Sequence, residues 1–148
     1  VELYGLMGTN SSKSGTTISQ FKSGMTAYCS GKGYGISYNS CMTNGKFDYS
    51  KAKENMKNGY PLVLFVDPFT LVEITANSGS DTIKYTKYNA EHCMAGFGYK
   101  DIKYTLSDGS TRTDNYIEIS SCIKGCSDGY YNINYNAGID DAYGIYIY

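Results

Sequence analysis

From residue 16 to residue 30 the apolar positions recur at helical spacing, with Ile18, Phe21, Met25, Tyr28 and Cys29 on one face. Thr17 and Gln20 stand at capping-box spacing, in which each side chain accepts the main-chain N–H of the other residue. Gly31, followed by Gly33, ends the helix, because glycine takes the left-handed conformation without side-chain strain. Gly24 inside the pattern carries a helix cost of about 1 kcal/mol relative to alanine, although a small residue also permits close packing. A short strand is expected over Gly35 to Tyr38. Asp48 or Ser50 caps a second helix to about Lys57, with Ala52 and Met56 inward and Asn58-Gly59 at its end.

Beyond Gly59 the helical period disappears. Pro61 to Val66 is a continuous apolar run that suits a buried central strand. Leu71 to Thr75 alternates as a strand does, and Asn77 to Asp81 is rich in turn residues. His92 to Tyr99, Asp101 to Leu106 and Tyr116 to Ser120 follow, with Ser107-Asp108-Gly109-Ser110 as a hairpin turn. Gly129 to Tyr135 and Tyr143 to Tyr148 supply two more strands. Helices first and an antiparallel sheet second make the expected fold α+β. A chain of 148 residues suits one domain, 1–148, with a core of its own.

Composition sharpens this picture. Seventeen tyrosines against five phenylalanines suit half-buried strands, where the ring packs and the hydroxyl stays wet. A formal charge of −1 leaves no basic footprint for nucleic acid. No apolar stretch approaches the roughly 18 residues that cross a bilayer, so no membrane insertion is expected. The five cysteines, Cys29, Cys41, Cys93, Cys122 and Cys126, give an odd count in a polar chain of extracellular character. Internal disulfides would leave at least one thiol over. Secretion or cell-surface attachment is the expected location. The chain opens at Val1 with neither initiator methionine nor signal-like segment, and a further segment upstream is expected.

The segment Glu91-His92-Cys93-Met94-Ala95-Gly96-Phe97-Gly98-Tyr99 resembles the strand that carries the general base in papain-like cysteine peptidases, especially the branch of double-glycine leader peptidases. Upstream, Lys53 to Val66 (KENMKNGYPLVLFV) resembles the helix, turn and apolar strand that precede the histidine in that family. Downstream, Asn115 to Asn136 resembles its next strand, orienting loop and Gly-Tyr strand, and Gly15 to Gly35 resembles the helix after the nucleophile. The resemblance implies a papain-like fold, two short N-terminal helices on a mainly antiparallel twisted sheet. It also implies thiol-dependent peptide-bond hydrolysis with His92 as the base.

That chemistry needs a thiolate, an imidazole that activates it, and an acceptor that fixes the ring's tautomer. Histidine suits the second role because its ordinary pKa lies near neutral pH. In the family the nucleophile opens a helix ahead of everything visible in this chain, where the helix dipole favours an anion. Cys29 falls instead in a last helical turn, and is expected to be a core or disulfide residue. Cys93 follows His92 on a strand, so the two point to opposite faces, and core packing is its expected role. Where the family has an orienting Asn or Asp, this chain has Ser120 and Ser121, with Asn115 too early and Asp128 beyond the loop. Both serines are candidate, weakened orienters.

Cys122 and Cys126 allow a local disulfide or two thiols; one loose pair and one histidine are too few for zinc, and neither metal nor cofactor is expected. Gly31-x-Gly33-x-Gly35 follows a helix, whereas dinucleotide loops follow a strand. Two readings compete. In the first the chain is the C-terminal part of an extracellular peptidase, acting on a peptide or protein substrate with a nucleophile from outside these residues. In the second it is a non-catalytic binding or adhesion module whose tyrosines contact a surface ligand. Either could pair with its own N-terminal fragment or form a homo-oligomer.

Overall fold

The Thr17 box forms as its residues dictate. The Gln20 N–H donates to the Thr17 hydroxyl at 3.2 Å and the Thr17 N–H to the Gln20 side-chain oxygen at 2.9 Å, opening helix α2 (Ile18–Gly31). The structure, a computed structural model, describes residues 2–9, 15–75, 82–123, 126–134 and 138–148. It divides into two units, Val1–Asn39 with Ile145–Tyr148, and Ser40–Gly144.

In the first unit a short helix, α1 (Glu2–Leu6), precedes α2. The sequence pattern does not predict it, because five residues are too few to display a period. Gly24 of α2 is its contact point: a Cβ there would lie 2.7 Å from the Met7 Cα, so the glycine that weakens the helix also lets the backbones approach. Cys29 is buried at the end of α2. Strand β1 (Ile36–Ser40) follows, and Gly35 and Tyr148 exchange main-chain hydrogen bonds of 2.6 and 3.1 Å.

The second unit begins with a hairpin, β2 (Met42–Thr43) and β3 (Lys46–Phe47), turning at Asn44-Gly45. Both turn residues have positive φ, 51° and 72°, as a type I′ turn requires. Asp48 then caps helix α3 (Tyr49–Lys57), its carboxylate accepting from the N–H groups of Ser50 and Lys51 at 3.1 and 3.2 Å. The remaining strands are β4 (Leu62–Val66), β5 (Phe69–Thr75), β6 (Thr82–Tyr88), β7 (His92–Thr105), β8 (Thr111–Ile123), β9 (Cys126–Asn132) and β10 (Ile139–Ile147). In this unit they lie in the order β10-β4-β7-β8-β9-β5-β6, every neighbouring pair antiparallel. The fold is α+β with a large antiparallel sheet.

Several boundaries differ from expectation. The β6 segment is mostly polar and the sequence pattern predicts no element there; it becomes a strand by pairing with β5 along its whole length. The turn expected at Asn77 to Asp81 lies outside the described residues. The two strands expected over His92 to Leu106 are one, because a bulge between Gly96 and Gly98 absorbs the irregularity without breaking the ladder to β8. Cys93, expected in the core, is exposed: it lies with Ala95 and Phe97 on the side away from the buried Met94 and Gly96.

Leu62, Leu64 and Val66 of β4 pack with Met94, Ile117, Ile119, Tyr131 and Leu71 in one core, covered in part by Ala52 of α3. Consecutive strands β4 and β5 stand four places apart in the sheet, yet only Asp67 and Pro68 join them. Four strand spacings amount to about 19 Å in a flat sheet, whereas the three peptide units from Val66 to Phe69 span at most about 11 Å. The sheet must therefore curl until these two strand ends meet. Gly138 secures the link: its carbonyl accepts the Asp67 N–H at 2.8 Å, and a Cβ on it would come within 2.9 Å of the Asp67 carbonyl carbon.

A polar cluster ties α3 to the sheet. Asp101 accepts from the Tyr49 hydroxyl at 2.7 Å, Asn115 Nδ2 at 2.8 Å and Lys53 Nζ at 3.1 Å. Burial raises the Asp101 pKa, but these donors outweigh it and hold the carboxyl below its ordinary 3.8. A depressed folded-state pKa stabilises the fold above the ordinary value and ceases to do so as pH falls through the folded one. Asp101→Asn is thus expected to be less stable than wild type at pH 7, with the gap closing as pH falls below 3.8, in urea melts across pH. In the core, Leu64→Ala is expected to cost about 2–5 kcal/mol by the same measurement, since Leu64 is fully buried on the central strand.

Candidate functional site

The curl of the sheet brings together residues far apart in sequence. His92 opens β7 opposite Val66, the last residue of β4, so it stands where the β4–β5 link begins. Phe69, just past that link and 2% exposed, stacks on the imidazole with centroids 5.4 Å apart and planes 18° apart. Tyr88, its cross-strand partner on β6, stacks on Phe69 at 5.0 Å and 14°. The ladder between β7 and β8 ends at Ala95 and Ser120, and β8 shifts register against β9 between Ser120 and Ile123. At that irregularity the Ser121 main-chain carbonyl meets His92 Nε2 at 2.5 Å.

A carbonyl oxygen can only accept, so Nε2 carries the proton and donates it. In the neutral ring the lone pair is then on Nδ1, which has no hydrogen-bond partner among the described residues. The imidazole is thereby held in one tautomer with its basic nitrogen open. Of the two candidate orienters, Ser121 reaches the ring through its backbone; its hydroxyl accepts the Ile123 N–H at 3.2 Å. Ser120 sits opposite Ala95 and Asp128 in the ladders and makes no bond to the ring. Asn115 is held by Asp101 in the polar cluster.

A family model described as "Peptidase_C39 like family" matches residues 2–138. The chain belongs to this family. Neither the curated proteins nor the solved structures compared with the chain gave a match.

For a C39-like domain the cysteines matter next. Cys41 is fully buried, accepts from Asn55 Nδ2 at 3.5 Å, and burial pushes its thiol up to about 11, so it is neutral at physiological pH. Cys93 is adjacent to His92, but strand alternation turns it to the other face. Cys29 belongs to the other unit, and Cys122 and Cys126 are described by their main chain alone. Among the described residues no thiol is hydrogen-bonded to the ring.

No sequence pattern marks Phe69 or Tyr88 for this site. Nothing local signals a ring beside His92, since that contact depends on the curl of the sheet. Ser121→Ala is expected to cost about 0.5–1.5 kcal/mol, because the part-buried Ile123 N–H loses its acceptor. The carbonyl bond to the ring will survive, and urea unfolding together with the unchanged ¹⁵N signature of His92 checks both parts.

Proposed function

We propose that the chain supplies the general-base half of an extracellular, papain-like cysteine peptidase. The carrying observation is the His92 bond to the Ser121 carbonyl, which leaves Nδ1 as the ring's proton acceptor. Membership of the C39-like family supports a cysteine peptidase-like domain. In this reading Nδ1 takes the proton of a cysteine thiol supplied from outside these 148 residues. The thiolate attacks a peptide carbonyl, and the imidazolium returns the proton to the leaving amine. Water then releases the acyl group from sulfur.

The Ser121 carbonyl fills the part that a side-chain amide or carboxylate plays in a conventional triad. It orients the ring by geometry and adds no negative charge opposite the imidazolium. Catalysis then relies on the placement of the ring more than on a charged partner.

The test is labelling of the full-length protein with an active-site-directed thiol reagent. His92→Ala is expected to slow labelling at neutral pH by about 10²–10⁴-fold, the usual contribution of a positioned base. Equal labelling rates in wild type and His92→Ala would refute the thiolate–imidazole pairing.

A further inference from the structure

Among the described residues His92 makes one hydrogen bond, from Nε2 to the Ser121 carbonyl. A single bond leaves an imidazole free to swing about the line joining its donor and acceptor, and a second restraint is needed to define the ring plane. The structure offers one: Phe69 lies nearly parallel to the imidazole, and Tyr88 lies nearly parallel to Phe69. Phe69 is 2% exposed, so it is itself fixed by the core, and it directly follows the Asp67-Pro68 link between β4 and β5. Both contacts are made by stacked ring faces, and neither side chain is hydrogen-bonded to the imidazole.

We propose that Phe69, backed by Tyr88, is the positioning residue of His92: its stacked ring holds the imidazole in the plane where Nε2 donates to Ser121, keeping Nδ1 as the basic atom. Phe69 acts through His92 and touches no reacting atom. The bearing of this role on catalysis rests on the peptidase reading above, but the tautomer itself does not.

His92 is the one histidine in the sequence, so ¹⁵N-histidine labelling of the chain reports this ring alone. At a pH where the ring is neutral, the wild type is expected to show one nitrogen of N–H type and one of lone-pair type, with cross-peaks assigning the proton to Nε2. In Phe69→Leu the two signals are expected to move toward each other as the tautomers mix, and in Phe69→Tyr, which keeps the stacked ring, they are expected to return. Circular dichroism and urea melts establish that each variant is folded. Tyr88→Leu, at a half-buried position, provides a milder second variant with the same direction and a smaller shift.

A wild-type signature in folded Phe69→Leu, or in Tyr88→Leu should the former not fold, overturns the proposal. So does a wild-type ring protonated at Nδ1. The two readings fail separately. An unaltered tautomer in the variants alongside His92-dependent thiol labelling overturns the positioning role alone. A ring-dependent tautomer alongside His92-independent labelling overturns the peptidase reading alone.

Discussion

Two residues, Asp67 and Pro68, carry the chain from β4 to β5, strands that stand four places apart in the sheet. No flat arrangement satisfies that link, because the gap would exceed the reach of the chain. Curling the sheet closes the gap, and it turns one face inward over Leu64, Met94, Ile117, Ile119 and Leu71. Hydrophobic burial favours that curl, and the link enforces it. The Gly138 contact with the link has room only because glycine lacks a Cβ.

The candidate site is a consequence of this closure. Val66 ends β4 opposite His92, Phe69 begins β5 against the imidazole, and the two are separated by the link alone. Register matters here as much as proximity. A slip of one residue between β4 and β7 would send His92 to the exposed side and Cys93 to the core side. The buried Leu62, Leu64 and Val66 oppose that slip, since it would exchange Met94 for an exposed neighbour in the same row. The same energetics that stabilise the core therefore aim the ring.

Irregularity in the ladders does the remaining work. Regular antiparallel strands consume their carbonyls in cross-strand bonds, whereas the shift in β8 after Ser120 presents the Ser121 carbonyl to a side chain. Orientation by the backbone is insensitive to the residue that provides it, so the bond to the ring does not depend on the Ser121 side chain. The polar cluster around Asp101 lies on another part of the sheet and serves to hold α3 across it.

The sequence by itself determined what depends on near neighbours. The Thr17 box, the Asp48 cap, the apolar run of β4 and the Ser107 to Ser110 turn are each written within a few residues, and each is present in the structure. The Asn44-Gly45 turn is equally local, an Asn-Gly pair with both residues at positive φ. His92 stood out for the pattern around it, and strand alternation correctly separated it from Cys93, though not the side of the sheet on which Cys93 would fall. Tertiary structure alone decided that a carbonyl meets the ring and that Phe69 stacks on it. Those contacts join residues 29 and 23 positions apart across a curled sheet, and the curl is a property of strand order and link length that no local pattern encodes.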